Sequence, residues 1–159
     1  MNYNEEMNMN NVEFGEMPPQ AFLLGLLSAF DNRYQAAADA FFKEITWKQF
    51  FAIICINLCK EAPTINELSD VMGSSHQNVK QILLKLEKKG FITMMPDKND
   101  KRKQRIIVTE EAGKFLEEND NSGQQSRYII ERIFGGIGEK DLMTTIQTIM
   151  KMERNLSEL

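Results

Sequence analysis

The sequence predicts a mainly α protein with one small β-hairpin, and three observations lead to that fold class. Apolar residues recur at helical spacing along most of the 159-residue chain. Two short helical segments joined by a glycine-containing turn lie near the middle of the chain. Directly after them, segments 91–96 and 104–108 are rich in β-forming residues and flank a polar, basic loop.

Length and composition limit the class of protein further. The length suits one domain, or a small domain with an oligomerisation appendage, and 42% hydrophobic residues suffice for a packed core. No stretch approaches about 18 uncharged apolar residues, so we expect no membrane span. The acidic, amide-rich N-terminus has no signal-peptide pattern, which favours a cytoplasmic location. Two cysteines in a chain of this length do not make a disulfide framework.

The N-terminal third predicts a tail and two helices. Residues 1–17 are expected to be a disordered tail, and Pro18 and Pro19 then begin a long helix, because proline fits the first helical turn. Its apolar surface exceeds what a small domain needs, so we assign 18–44 to dimerisation. Thr46 is a predicted N-cap for the next helix, which is apolar nearly all round and therefore expected to be buried.

A helix-turn-helix is predicted from residue 64 onward. Thr64 and Glu67 have the spacing of a capping box, and Gly73 permits a tight turn at the end of that short helix. Ser74 or Ser75 caps the second helix, which Gly90 terminates. With the hairpin that follows as a "wing", residues 45–116 are expected to form a winged helix-turn-helix domain.

The second helix of this motif has two different faces. Its inward stripe is predicted to consist of Val79, Ile82, Leu83 and Leu86. The opposite face carries Gln77, Gln81, Leu84 and Lys88. Amides and lysines on such a face can reach base edges and phosphates in a major groove.

Charge is concentrated in the same part of the chain. Residues 74–105 hold seven Lys and two Arg against three acids, a net charge of +6, whereas the whole chain carries −4. A basic island of this kind is typical of a nucleic-acid-binding surface, although a basic run alone is more often a solvated face. The order of helix, glycine and basic hairpin favours the nucleic-acid interpretation.

The C-terminal residues 117–159 are predicted to form further amphipathic helices. Their apolar stripes, with that of the first helix, exceed what the central domain can cover, so we expect a helical dimerisation layer and a homodimer. A dimer would space two recognition helices about one DNA turn apart.

The central motifs resemble the MarR family of bacterial transcriptional regulators, which are winged-helix dimers. The matching segments are I-T-W-K-Q-F at 45–50, T-I-N-E-L-S at 64–69, S-S-H-Q-N-V-K-Q-I-L-L-K-L-E-K-K-G-F-I at 74–92 and D-K-N-D-K-R-K-Q-R-I-I-V-T-E-E-A-G at 97–113. The last is the most specific, because it is similar to the family's wing signature. Two departures stand out: Lys101 replaces a more usual Arg, and Met94 and Met95 replace a usual basic residue.

The resemblance implies roles for individual residues. Arg102 would enter the minor groove, and Asp100 would orient it. The full set expected at the DNA is Ser74, Ser75, His76, Gln77, Asn78, Lys80, Gln81, Lys85 and Lys88 on the helix, and Asp100, Lys101, Arg102, Lys103 and Arg105 on the wing. Many family members release DNA on binding small phenolic or lipophilic ligands, so the resemblance also implies a candidate effector pocket for a small lipophilic or aromatic molecule. Its predicted lining is Phe30, Tyr34, Trp47, Phe50 and Phe51.

The sequence gives little indication of metal binding or catalysis. One His and two Cys make no zinc signature, and we expect neither a metal nor a cofactor. No catalytic motif is present, so an enzyme is not expected. The predicted function is that of a sequence-specific DNA-binding transcriptional regulator, a repressor that binds a pseudo-palindromic operator as a homodimer. The alternatives are a winged-helix interaction module without DNA binding and an oxidant sensor acting through Cys55 and Cys59.

Overall fold

The computed structural model describes residues 15–40, 42, 44–118 and 121–159, and it divides into two compact units at Lys114 and Phe115. The first unit contains α1 (Pro19–Asp39), α2 (Trp47–Leu58), α3 (Ile65–Met72), α4 (His76–Lys88), β1 (Ile92–Pro96), β2 (Gln104–Val108) and the beginning of α5 (Glu110–Glu118). The second contains the end of α5, α6 (Asn121–Ile133) and α7 (Glu139–Leu156). The mainly α fold with one hairpin is therefore confirmed. Most of the tail predicted at 1–17 lies outside the described residues.

The predicted starts of α2 and α3 are confirmed by their caps. The Thr46 side chain accepts a hydrogen bond from the Gln49 amide, and the Gln49 side chain accepts one from the Thr46 amide. Thr64 and Glu67 form the same reciprocal box at α3. Each box satisfies two amides that a helix N-terminus would otherwise leave unpaired, which fixes where each helix begins.

The turn between α3 and α4 follows the predicted chemistry. Gly73 ends α3 in the left-handed region at φ 58°, a conformation that costs glycine little because it has no Cβ. Of the two serines, Ser75 is the N-cap: its hydroxyl accepts a hydrogen bond from the Asn78 amide at 3.3 Å. This turn sets the direction of α4 relative to α3.

The core of the first unit lies between α2, α3, α4 and the hairpin. Its fully buried side chains include Ile53, Leu68, Val79, Leu83, Leu86 and Ile106. Three of the four residues of the predicted α4 stripe are buried, and Ile82 is partly buried. Burying one such aliphatic side chain contributes about 1.5–3 kcal/mol, so this stripe is what holds α4 against the rest of the unit.

The hairpin is antiparallel and is hydrogen-bonded to the segment that precedes α3. Ile92 pairs with Val108, and Pro96 pairs with Gln104 next to the loop. On its outer side, β2 is hydrogen-bonded to the segment before α3: the Ile106 amide donates to the Pro63 carbonyl at 2.9 Å. A two-stranded hairpin alone is marginally stable, so these additional bonds contribute to holding it in place.

The second unit leaves much apolar surface exposed among its described residues. Ile130 and Phe134 are exposed near the end of α6, and Met143, Ile146 and Met150 are exposed on α7. Within the described part of the chain, no helix has the length and apolar character needed to cross a membrane.

Candidate nucleic-acid interface

The outward face of α4 consists of polar and cationic side chains. The exposed residues are Ser75, His76, Gln77, Asn78, Lys80, Gln81, Lys85 and Lys88, while Ser74 is half-buried. The structure thus brings together on one surface the residues that the sequence predicts for the recognition helix. Leu84, at 43% exposure, is an apolar exception within that face. Because the opposite stripe is buried, the amides and ammonium groups point away from the core and can meet a partner.

The tip of the wing presents one arginine held by one carboxylate. Arg102 donates from Nε to Asp100 Oδ1 at 3.0 Å and from Nη2 to Oδ2 at 3.3 Å. The Arg102 backbone amide also donates to Asp100 Oδ1, at 3.1 Å. Hydrogen bonding to Arg102 holds the pKa of the Asp100 carboxyl below its ordinary value. The guanidinium side chain is nevertheless 91% exposed, so its orientation is restricted while most of its surface remains available.

Asp97 closes the loop that carries this tip. Its Oδ1 accepts hydrogen bonds from the amides of Asn99, at 2.7 Å, and Asp100, at 2.9 Å. Its own amide donates to the Lys103 carbonyl at 2.9 Å. Asp97 is not among the residues that the sequence predicts for the site, although an Asp at the start of a polar turn is a known signal for such side-chain-to-backbone bonds. This arrangement gives the basic loop a defined shape.

Arg105 is placed differently from the other wing cations. Its Nε donates to Asp97 Oδ2 at 2.5 Å, and its Nη1 donates to Glu67 Oε2 and to the Ala62 carbonyl, each at 3.0 Å. Its side chain is only 30% exposed, whereas Lys101 and Lys103 are exposed. The guanidinium that the sequence assigns to DNA is therefore engaged inside the domain.

The charges around Arg105 shift the ionisation of its partners. The hydrogen bond from Arg105, with the loop amides of Asp100 and Asn99, lowers the pKa of Asp97 to about 2. The pKa of Glu67 is lowered mainly by its hydrogen bonds with Thr64, with a further contribution from the positive charge of Arg105. Both carboxylates therefore remain ionised at neutral pH, and Arg105 keeps two anionic partners.

Thr109 connects the wing to the end of α4. The Thr109 hydroxyl donates to the Gly90 carbonyl at 2.7 Å, and the Thr109 amide donates to the Phe91 carbonyl at 3.0 Å. These bonds join the end of β2 to the end of α4.

On β1, Met94 is half-buried and Met95 is 51% exposed, so the position where the family usually has a basic residue presents a thioether instead.

The residues predicted to line an effector pocket form a connected aromatic cluster between α1 and α2. Tyr34 meets Trp47 edge-on with 4.8 Å between ring centroids, and Phe30 stacks on Tyr34 at 6.2 Å. Trp47 also lies 5.8 Å from Phe50 and 6.0 Å from Phe51. Such separations are those of rings in direct contact, so a ligand in this place would have to part them. Burial raises the pKa of the Tyr34 hydroxyl, which keeps it a neutral hydrogen-bonding group.

The two cysteines lie one helical turn apart on α2. Cys55 is buried and Cys59 is half-buried, and the Cys59 thiol donates to the Cys55 carbonyl at 3.2 Å. Burial, with the neighbouring Cys59, raises the pKa of the Cys55 thiol, which disfavours the reactive thiolate. In the described ranges, no group of three or more His, Cys, Asp or Glu side chains could hold a metal ion.

A helix-turn-helix with an exposed polar second helix, followed by an antiparallel hairpin with a cationic tip, defines the class of winged helix-turn-helix proteins. Residues 45–103 match the model of the MarR family, which confirms the resemblance found in the sequence. The chain has the fold of MarR-family transcriptional regulators.

Solved structures show the same architecture at low sequence identity. A MarR protein from Peptoclostridium difficile is similar with a TM-score of 0.77 and 18% identity, covering 94% of this chain and 95% of that one. The MepR–DNA complex of S. aureus is similar with a TM-score of 0.70 and 17% identity, covering 89% and 99%. The organohalide-sensing regulator RdhR, in a 2,4-dichlorophenol-bound form, has a TM-score of 0.74 and 16% identity, covering 92% and 86%.

Proposed function

We propose that this protein is a transcriptional regulator that binds double-stranded DNA sequence-specifically, with α4 in the major groove and the wing tip in the minor groove. One observation carries the proposal: the polar face of α4, backed by its buried stripe, belongs to the same unit as a wing whose Arg102 is exposed and oriented by Asp100. Amide side chains such as Gln77 and Gln81 would read base edges, and the lysines would contact phosphates.

The charge distribution supports an anionic partner of this kind. Residues 74–105 carry +6 in a chain whose net charge is −4, so the rest of the protein is strongly acidic. DNA would be attracted to the basic segment and repelled elsewhere, which favours one docking orientation. Because lysine and arginine contacts release counterions, binding would weaken steeply as salt increases.

The regulator would act as a homodimer on a pseudo-palindromic operator, and it would repress. Residues 18–44 and 117–159 are proposed to form a dimerisation layer, and residues 45–116 are proposed to bind DNA. Exposed apolar side chains such as Leu24 on α1 and Met150 on α7 support this layer, because they would be covered by a second copy. Two recognition helices one DNA turn apart would then read two half-sites. As a bacterial regulator of transcription, the protein would act in the cytoplasm.

A small lipophilic or aromatic effector would release the DNA. The cluster of Phe30, Tyr34, Trp47, Phe50 and Phe51 supports this proposal, because parting its rings would move α1 relative to α2, and α2 packs on α3 and α4. That RdhR is found with 2,4-dichlorophenol supports the chemical class. Such a ligand would weaken DNA binding only if it binds the DNA-free conformation more tightly.

The decisive experiment is selection of operator DNA from a random duplex pool, followed by a salt titration. We expect enrichment of a pseudo-palindromic site and a linear fall of log affinity with log salt, with a slope of several units. Sedimentation of the complex should give two chains per operator. No enriched sequence and no duplex binding at low salt would overturn the proposal.

A second candidate function has a specific observation in its favour. Leu84 and Met95 are exposed apolar residues on α4 and β1, where a DNA-binding surface would be polar. They fit a protein-interaction module that retains the winged helix without binding DNA. The salt titration separates the two candidates, because the interaction module would show no affinity for duplex DNA even in low salt.

A further inference from the structure

We propose that Arg105 is a positioning residue: it clamps the wing to the N-terminus of α3, so that Arg102 is held at a fixed distance from the recognition helix. We call Arg105, Asp97, Glu67 and the Ala62 carbonyl the wing clamp. The clamp itself is a property of the fold, while its effect on DNA recognition rests on the proposed function.

The three hydrogen bonds of Arg105 lead to different parts of the chain. The bond to Asp97 stays within the wing, whereas those to Glu67 and Ala62 connect it to α3 and to the segment before α3. One planar guanidinium therefore joins three parts of the chain. Lysine could not do this with the same geometry, because its ammonium lacks the rigid fork of donors.

The wing clamp lies beside a backbone connection between β2 and the segment before α3. Arg105 itself forms a bridge with Thr64, and the next residue, Ile106, donates its amide to the Pro63 carbonyl at 2.9 Å. The segment 63–64 thus runs beside β2 like a short third strand. The Arg105 guanidinium adds side-chain hydrogen bonds at the same place. Both the backbone and the side-chain hydrogen bonds would therefore have to break before the wing could move away from α3.

The electrostatic surroundings of Arg105 differ from those of Arg102. The positive charge of Arg105 faces two carboxylates at hydrogen-bond distance, so little of it remains for a phosphate. Arg102 faces one carboxylate and is far more exposed, at 91% against 30%. The two arginines of the wing therefore have separate tasks: Arg102 is available to a partner, and Arg105 holds the structure that carries it.

The consequence for DNA binding is selective. Without the clamp, α4 keeps its buried stripe and its face toward the major groove, while the wing tip loses its fixed position. Minor-groove contact by Arg102 should then be lost together with the clamp, although Arg102 itself is unchanged. Loss of Arg105 should therefore resemble loss of Arg102 rather than add to it.

The test compares Arg105→Gln, Glu67→Gln and Arg102→Ala, with Lys114→Gln as a charge-matched control on the exposed surface of α5. Glu67→Gln is the milder variant, because glutamine can still complete the capping box with Thr64 while removing the negative charge beside Arg105. The first measurement needs no DNA: backbone amide exchange of Asn99, Asp100 and Ile106 in the full chain. We expect faster exchange in Arg105→Gln and, to a smaller extent, in Glu67→Gln, with no change in Lys114→Gln.

The second measurement is operator affinity with a hydroxyl-radical footprint. Arg105→Gln and Arg102→Ala should each weaken binding by on the order of tenfold and remove minor-groove protection, while major-groove methylation interference persists. The double variant should bind no more weakly than either single variant. Additive losses would overturn the proposal, because they would mean that Arg105 contacts DNA itself.

Different results would contradict the proposed function and the wing clamp. Wild-type protein that binds no DNA would contradict the proposed function, and amide exchange would still decide the clamp. Unchanged exchange in both Arg105→Gln and Glu67→Gln would overturn the clamp, whatever the DNA affinity.

Discussion

A single oxygen atom of Glu67 serves both the start of α3 and the wing. Its Oε2 accepts a hydrogen bond from the Thr64 amide at 2.7 Å and another from Arg105 Nη1 at 3.0 Å. The same carboxylate therefore caps a helix and forms an ion pair with a residue 38 positions away. The local signal that begins a helix is also a tertiary contact that orients the hairpin.

Arg102→Ala should weaken operator binding by about tenfold and reduce the slope of log affinity against log salt by about one. The reason is that the exposed guanidinium at the wing tip is removed while Asp97 still closes the loop. A gel-shift series from low to high salt measures both quantities. Arg102→Lys is the matched control: it should recover the salt slope but only part of the affinity, since an ammonium lacks the planar fork. Unchanged affinity in Arg102→Ala would show that the wing is assigned wrongly.

Gln81→Ala should relax discrimination at one base position in each half-site. Gln81 lies on the exposed face of α4, where a glutamine amide can form two hydrogen bonds with adenine. The affinities of the wild type and the variant for operators with single base changes measure the effect. We expect Gln81→Ala to lose affinity for the best operator. It should show no comparable loss for the operator that is changed at the base which Gln81 contacts. An equal loss on every sequence would mean that Gln81 does not read bases.

Acid should loosen the wing before it unfolds the core. The pKa of Asp97 is about 2 in the folded protein, mainly because of Arg105, and is higher in the unfolded chain. A lowered folded pKa contributes stability that is complete above the unfolded value and is lost as pH falls through the folded value, here from about pH 4 to about pH 2. Protection of the Asn99 and Ile106 amides from exchange, measured relative to their intrinsic rates at each pH, should fall in that window.

Asp97→Asn is the variant that isolates this group. Asparagine keeps an oxygen for the amides of Asn99 and Asp100 but carries no charge for Arg105. We expect the wing amides to be less protected from exchange already at neutral pH. Their protection should also depend less steeply on pH between about pH 4 and pH 2. A dependence as steep as that of the wild type would assign the acid effect to other carboxylates, such as Glu67.

Leu83→Ala should destabilise the protein by about 2–5 kcal/mol, because Leu83 is fully buried and its removal leaves a cavity beneath α4. Leu84→Ala, one position further on the same helix, provides the matched comparison. Leu84 is 43% exposed, so its truncation should change the free energy of unfolding by less than about 0.5 kcal/mol. Urea unfolding of both variants measures the difference, and equal losses would contradict the assigned orientation of α4.

Oxidation should affect Cys59 before Cys55. The Cys55 thiol is buried and its pKa is raised by burial and by Cys59, whereas Cys59 is half-buried. Alkylation followed by mass spectrometry should modify Cys59 faster. We also expect peroxide to leave operator binding unchanged. Peroxide-driven release that disappears in Cys55→Ser would instead support the oxidant-sensing alternative.

Much of the fold was predictable from local patterns. Thr46, Thr64 and Gly73 mark helix ends because caps and left-handed turns depend on residues within a few positions of one another. The buried stripe of α4 follows from helical periodicity, and the hairpin follows from two β-rich segments around a polar loop. The Asp100–Arg102 pair could be anticipated from the resemblance, since its members are two positions apart.

The amino-acid sequence by itself determined the order of the elements, the polar face of α4 and the concentration of positive charge in residues 74–105. Only the tertiary structure decided which wing cation remains available. Arg102 and Arg105 look equivalent in the chain, but Arg105 meets Ala62 and Glu67, residues 43 and 38 positions away. Folding places those partners beside Arg105 by packing α3 against the hairpin. Such a distant pairing has no periodicity or spacing that would indicate it, so one arginine became a structural contact while the other stayed exposed.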